Sequence, residues 1–175
     1  MLRGLSAVAV LLLAFGAAAS DVGDKAPELE GIEWINLGRG KKPKLKGKTV
    51  VLVFWATNNL QGTMAMTGLQ SLHEHFTGYG LAVVTVSFEE PKKLQPFVED
   101  NDYTVAVGSD FARKVSSAYG VRGWPQAFLI DKKGKVVWKG DPFRVVQEAR
   151  KLAGVGTEPQ ELLTRLVSAT RAKKK

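Results

Sequence analysis

The sequence contains no cysteine among its 175 residues. Without a thiol the chain can form no disulfide, can offer no thiolate nucleophile and can hold no cysteine-ligated metal. Long apolar runs are also scarce. One stands at residues 5–15, and no later segment is apolar and long enough to be predicted as a membrane helix. The sequence therefore excludes thiol chemistry, and it predicts no membrane helix after residue 20.

The apolar run lies in a segment that has the layout of a cleavable secretory signal. Arg3 gives a basic start, residues 5–15 are apolar and residues 16–20 are small. An uncleaved anchor is the alternative, but the run is shorter than the roughly 20 residues that span a bilayer. We therefore predict an exported protein, periplasmic or extracellular, with no integral membrane segment after cleavage.

Acidic residues are outnumbered, with 17 Asp and Glu against 25 Lys and Arg, and the formal net charge is +8. The lysines are scattered, in segments such as GRGKKPKLKGK and the terminal RAKKK. No recognition helix or aromatic-interleaved basic motif accompanies them. The sequence therefore predicts no nucleic-acid partner, and only a weak, salt-sensitive attraction to acidic surfaces.

Two near-continuous apolar runs, residues 49–56 and 81–88, predict central strands that are covered on both faces. Between them, apolar residues recur at helical spacing and predict one helix face that packs on the sheet. Strand, helix and strand within about forty residues form a right-handed βαβ unit with parallel strands. The apolar positions on the predicted helix are Ala65, Leu69, Leu72 and Phe76.

The remaining sequence predicts shorter elements. Asp110 is placed as the cap of a helix, because Asp is a preferred residue at that position. QAFLID and KVVWKG flank a Lys-Lys-Gly turn and predict a hairpin. The other predicted elements are one or two short strands before residue 49, a helix at 92–101, a strand near 104–107, the capped helix at about 110–119, and helices at about 143–152 and 159–172.

The order of these elements resembles the thioredoxin superfamily, most closely its exported TlpA/ResA-like branch among the AhpC/TSA-Redoxin-like proteins. The resemblance implies an α/β, thioredoxin-like fold with a central mixed β-sheet flanked by helices on both faces. It divides the chain into a signal peptide at 1–20, a thioredoxin-like domain at 21–172 and a basic tail at 173–175. The matching stretches are VGDKAP, GKTVVLVFWAT, Met66, Leu69, AYGVRGWPQAFLIDKKGKVV and Gly140.

In that family the first helix of the βαβ unit opens with Trp-Cys-x-x-Cys. Alignment on the shared Phe-Trp-Ala-Thr puts Asn58 at the tryptophan, Asn59 at the first cysteine and Gly62 at the second. An amide supplies neither nucleophile nor leaving group for thiol–disulfide exchange, and peroxide reduction of the peroxiredoxin type also needs a cysteine. We therefore expect the fold without the family's activity. Whether the chain is an enzyme stays open, and the missing cysteines argue against it.

Asn59 has two interpretations. It can cap the helix, because its side chain can accept a hydrogen bond from the unpaired N–H groups there, a contribution of about 1 kcal/mol. Alternatively, those same N–H groups can hold an anionic group of a ligand. The cap is favoured, since Asn is a preferred cap and no phosphate-binding glycine loop follows.

The second family feature is Trp124-Pro125. In relatives the matching proline is cis, and the residue before it offers its backbone to an extended peptide substrate. The Trp124 ring either fills space over the vacant motif or serves as a platform for a peptide. The resemblance thus predicts a partner-binding groove lined by Trp55, Asn58, Asn59, Gly62, Gly123, Trp124 and Pro125.

The leading function is a non-catalytic, exported thioredoxin-fold module that binds a protein or peptide partner in this groove and uses no cofactor. One alternative is a residual enzyme that uses Thr57 or Thr63, although no base is evident beside either hydroxyl. Another is a structural subunit of an envelope assembly.

Glu89 and Glu90 form an acidic pair before Pro91, and they are predicted to lie in a solvated loop and not to act as a general acid and base.

We predict no metal site. Met64, Met66, His73 and His75 suggest one, but helix geometry separates the two pairs that share a face. Met66 and His73 lie about 10 Å apart along the axis, and Met64 and His75 about 16 Å apart, so neither pair can bind one ion.

Overall fold

The computed structural model describes residues 19–152. Each element is named here in chain order. The strands are β1 (Glu33–Trp34), β2 (Thr49–Trp55), β3 (Leu81–Ser87), β4 (Ala106–Ser109), β5 (Gln126–Ile130) and β6 (Val136–Gly140). The helices are α1 (Leu60–Phe76), α2 (Pro91–Asp100), α3 (Lys114–Ala118) and α4 (Pro142–Leu152), and a short 3-10 turn (Thr77–Tyr79) follows α1.

The described strands form one mixed sheet in the order β1-β4-β3-β2-β5-β6. β2, β3 and β4 are parallel neighbours, whereas β5 pairs with β2 in the antiparallel sense and β6 and β1 complete the two edges antiparallel. Because β3 lies beside β2 and β4 beside β3 on the same side, right-handed crossovers carry α1 and α2 to one face. The predicted βαβ unit and mixed sheet are confirmed.

Strand β2 is buried along its whole length because each face of the sheet is covered. Val51, Val53 and Trp55 join a core with apolar residues of α1, α2 and α4. The alternate residues of β2 join a second core that contains Val115 of α3 and the nearby Tyr119. Helices therefore cover both faces, as the resemblance implied.

Helix α1 packs on the sheet through the predicted residues. Ala65, Leu69, Leu72 and Phe76 are all buried, and so is Met66. The spacing of apolar residues in the sequence was therefore sufficient to identify this helix and the face that it buries.

The region around Asp110 differs from the prediction. The strand lies at Ala106–Ser109 rather than 104–107, and the helix is only Lys114–Ala118. Asp110 does satisfy the start of the helix, because its carboxylate accepts from the N–H groups of Val115 at 3.2 Å and Ser116 at 2.7 Å. It does so from four residues before α3, across a turn in which Arg113 takes a left-handed φ of 56°.

Three predictions concern residues outside 19–152. These are the signal sequence, apart from residues 19 and 20, the helix at 159–172 and the basic tail at 173–175. None of the helices within the described part of the chain has the length and apolar character that a membrane span needs.

Candidate functional site

The start of α1 is the position that the family resemblance aligns with the first cysteine of the redox motif. Asn59 has an extended backbone, with φ −110° and ψ 112°, and its Oδ1 accepts a hydrogen bond from the N–H of Gly62 at 2.9 Å. The predicted helix cap is therefore present, and it uses one of the N–H donors that an anionic ligand would need.

The same Asn59 side chain makes a second bond. Its Nδ2 donates to the backbone carbonyl of Trp124 at 3.1 Å. These residues are 65 positions apart in the chain, so one amide group ties the start of α1 to the loop before β5. An amide can do this because it carries a donor and an acceptor together.

The Trp124 ring is half-buried against aromatic neighbours. Its ring centre lies 4.9 Å from that of Phe88 and 6.0 Å from that of Phe54, and the Arg113 guanidinium lies 4.6 Å from the Phe88 ring centre. The peptide bond between Trp124 and Pro125 is cis. The ring thus fills space over Phe54 and Phe88, and its remaining surface is accessible to a partner.

An open concave surface of about 570 Å³ lies beside this loop. Three of the predicted groove residues line it, and they face Gln61 in the first turn of α1. Asn58 is exposed, and Asn59 reaches the same loop through its bond to Trp124. The structure thus brings Asn59 and the Trp124-Pro125 loop together, whereas Asn58 adjoins Asn59 in the chain but is not part of the lining. The predicted residues in the lining are Gly123, Trp124 and Pro125.

Two predicted groove residues are buried, so their assignment as partner contacts is wrong. Trp55 is fully buried, with its ring centre 5.2 Å from that of Phe97. Gly62 is buried too, and a Cβ added there would lie 3.3 Å from the Cβ of Trp55 and 3.4 Å from the carbonyl oxygen of Ala56. Both residues lie next to the start of α1 in the chain, but both are buried in the core instead of exposed to a partner.

The prediction for Glu89 is also wrong. Only 5% of Glu89 is exposed, whereas Glu90 beside it is exposed as predicted. The Glu89 carboxylate accepts from the Thr57 N–H at 2.7 Å, the Thr57 hydroxyl at 2.8 Å and the Ser87 hydroxyl at 3.0 Å. It also pairs with Lys93. This buried cluster fixes Thr57, two residues before the cap of α1.

The electrostatics of Glu89 argue against base catalysis. Burial by itself raises the pKa of the carboxyl, but Lys93 and the hydrogen bonds from Thr57 and Ser87 outweigh it and hold the pKa below its ordinary value. A carboxylate with a lowered pKa is a weak base. A carboxylate does lie beside Thr57, although sequence analysis did not find it. Its hydrogen bonds and lowered pKa suit Glu89 to holding Thr57 in place and not to accepting a proton.

A signal for Glu89 was available in the sequence. The predicted strands at 49–56 and 81–88 are parallel, and the carboxyl ends of parallel neighbours lie at the same edge of a sheet. Thr57 follows the first strand and Glu89 the second, so their proximity followed from the topology. Gln61 and Arg113 carried no comparable signal.

These features define a thioredoxin-fold protein whose helix α1 starts with an asparagine cap. Residues 22–139 match the AhpC/TSA family, and the chain belongs to this family. That result confirms the resemblance to the thioredoxin superfamily and relates the chain to its thiol–disulfide oxidoreductases.

Known proteins agree with this assignment. The chain is 34% identical over 104 residues to the thiol-disulfide oxidoreductase ResA of Bacillus cereus, which is 57% of this chain and 60% of that protein. The match to ResA of Bacillus subtilis is 32% over 123 residues, 70% of this chain and 68% of that protein. The first of these matches spans about three fifths of the relative's length.

A solved structure shows the same fold. A thiol:disulfide interchange protein DsbE from Chlorobium tepidum superposes with a TM-score of 0.64 and 26% identity, and the match covers 79% of this chain and all of that one. The thioredoxin-like fold predicted from the sequence is therefore confirmed.

The two bonds of Asn59 can be separated by mutation. Asn59→Ser keeps a cap acceptor but cannot reach the Trp124 carbonyl, whereas Asn59→Ala loses both bonds. We expect Asn59→Ala to lower the free energy of unfolding by about 1–2 kcal/mol and Asn59→Ser by less. Urea unfolding of both variants measures this. Equal losses for Ser and Ala would show that the cap contributes nothing.

The Glu89 cluster predicts a dependence of stability on acid pH. The pKa of Glu89 in the folded state is below the ordinary value of 4.5. The carboxylate therefore stabilises the fold fully above about pH 4.5, and this stabilisation is lost as the pH falls through the folded-state pKa. We expect Glu89→Gln to lower the unfolding free energy by about 1–3 kcal/mol at neutral pH. The difference from wild type should shrink as the solution is acidified.

The matched control is Glu90→Gln, at the exposed neighbouring position. Glu90 is the N-cap of α2 and makes no side-chain cap hydrogen bond, so its charge acts only through the helix dipole. We expect Glu90→Gln to lower the unfolding free energy by less than about 1 kcal/mol at neutral pH, a smaller loss than that of Glu89→Gln. A loss in Glu89→Gln that stays constant into the acid range would contradict the assignment of a charged, stabilising Glu89.

Proposed function

We propose that this protein is a non-catalytic, exported thioredoxin-fold module that binds an extended protein or peptide segment. The site is the groove between the start of α1 and the Trp124-Pro125 loop. One observation at Trp124 carries the proposal. Its aromatic ring is half-buried beside a concave surface, and no acceptor within residues 19–152 takes its backbone N–H.

The backbone of Trp124 can pair with an extended chain. Among residues 19–152 no acceptor takes its N–H, while its carbonyl accepts from Asn59. A carbonyl oxygen has two lone pairs, so the bond to Asn59 leaves it able to accept once more. Strand addition uses a backbone donor and a backbone acceptor of this kind, and Trp124 offers both beside the concave surface.

The aromatic neighbours of Trp124 supply apolar contact. Phe88 is half-buried against it, and the Arg113 guanidinium lies over the Phe88 ring. Aromatic and arginine side chains are enriched among the residues that carry binding energy at protein interfaces. Backbone pairing beside such a surface favours an extended segment with apolar side chains.

The chemistry present favours binding over catalysis. The chain has no cysteine, so electrons cannot pass between protein sulfurs through it. The hydroxyl of Thr57 is engaged with Glu89, whose lowered pKa makes it a weak base. The layout of residues 1–20 supports export.

The proposal is tested by blocking the groove. Gly123 lines it, and a Cβ added there would meet nothing within 4 Å, so Gly123→Tyr should fold normally while its ring occupies the groove. We expect this variant to weaken binding of a dye-labelled, carboxymethylated unfolded protein by at least about tenfold, since the ring excludes the partner from Trp124. Fluorescence anisotropy measures the affinity.

Gly78→Tyr is the matched control, because Gly78 is exposed, follows the far end of α1 and has the same free space around its Cα. It should bind as tightly as the wild type. Absence of saturable binding by the wild type, or equal affinities for the three proteins, would refute the proposal.

A further inference from the structure

A second concave surface lies at the opposite end of the sheet from the groove. The groove lies beyond the carboxyl end of β2, whereas this cavity surrounds its start, between residues 45–48, the end of β5 and the hairpin turn at 131–134. The segment at residues 25–29 closes one side. Its volume is about 450 Å³, within the range of small-molecule sites.

The inner wall of this cavity is apolar. Leu29 and Leu45 are partly buried against the second core, and Val50 and Ile130 continue the wall from the sheet. Tyr119 adds its ring, and its hydroxyl donates to the Pro27 carbonyl at 2.8 Å. Burial raises the pKa of Tyr119, so this hydroxyl stays neutral. The wall therefore presents no charge to a ligand.

The lining also carries an excess of positive charge. Two carboxylates accompany five lysines, and Asp131 uses its Oδ1 to accept from the N–H groups of Lys133 and Lys135 in the hairpin turn, both at 2.9 Å. Within residues 19–152 none of the five lysines forms an ion pair. The lysines are Lys25, Lys46, Lys48, Lys132 and Lys133, and the second carboxylate is Glu28.

We propose that this cavity binds a free single-chain amphiphile with an acidic head, of the fatty-acid class. The apolar tail lies against Leu29, Leu45 and Ile130, where it leaves water, and the head meets the lysine ammonium groups at the mouth. Lysine suits this arrangement because its stem packs on apolar surface while its charge stays in water.

The shape of the site favours a free amphiphile over a membrane. A bilayer presents its headgroups and keeps its acyl chains inside, so it would meet the lysines and leave the apolar wall exposed. A free amphiphile satisfies both parts of the cavity at once. Burial of the tail supplies affinity, and the excess of lysines over carboxylates in the lining selects the acidic head.

Dodecanoate is the probe, with dodecanol as the neutral analogue and acetate as the analogue without a tail. Calorimetric titration of the full chain below the critical micelle concentration should give one saturable site for dodecanoate. Dodecanol and acetate should each bind at least about tenfold more weakly. Methyl chemical shifts should move at Leu29, Leu45 and Ile130.

Two variants separate charge from packing. Lys46→Gln with Lys132→Gln should weaken dodecanoate binding about fivefold, since each removes one charge from the mouth. Leu29→Gln should weaken it by placing an amide on the apolar wall. The control, Lys92→Gln with Lys114→Gln, removes two exposed lysines outside the cavity and should leave the affinity unchanged.

The proposal would be overturned by the absence of saturable dodecanoate binding, by shifts that map to another surface, or by equal weakening in the control pair. Binding to anionic vesicles without binding to free dodecanoate would also overturn it. The groove variant Gly123→Tyr should bind dodecanoate normally, so this site and the peptide groove can fail independently.

Discussion

The amide of Asn59 joins two parts of the chain that must meet for the site to exist. It accepts from the Gly62 N–H at 2.9 Å and donates to the Trp124 carbonyl at 3.1 Å. A thiol at this position is a weak donor and a weak acceptor, so it could not hold both groups in the same way. Asn59 therefore fixes the start of α1 against the loop before β5.

The surroundings of Asn59 are rigid for reasons that do not involve sulfur. Trp55 and Gly62 lie buried beneath the start of α1, and the buried Glu89 carboxylate holds Thr57 through its N–H and hydroxyl. These contacts fix the chain on both sides of residues 58 and 59. A preorganised groove loses less conformational entropy when it binds a partner, which agrees with the proposed binding role.

The sequence predicted the sheet, the α1 face and the Asn59 cap because each depends on local pattern. Val-rich runs covered on both sides become central strands, and apolar residues at helical spacing identify the face of α1. It did not predict the bond from Asn59 to Trp124, which spans 65 residues, or the burial of Glu89. Both depend on where separate elements meet. The helix predicted at about 110–119 is shorter, Lys114–Ala118, because Asp110 accepts from its N–H groups from four residues before it.

If the scaffold of the redox relatives is kept, cysteines at positions 59 and 62 should be enough to create a redox pair. The direct measurement is insulin reduction by dithiothreitol, in the presence of the wild type or of Asn59→Cys with Gly62→Cys. We expect the wild type to leave the rate at background, and the double variant to form a reversible disulfide and accelerate the reaction. Acceleration by the wild type, or a folded double variant that never forms the disulfide, would contradict the account.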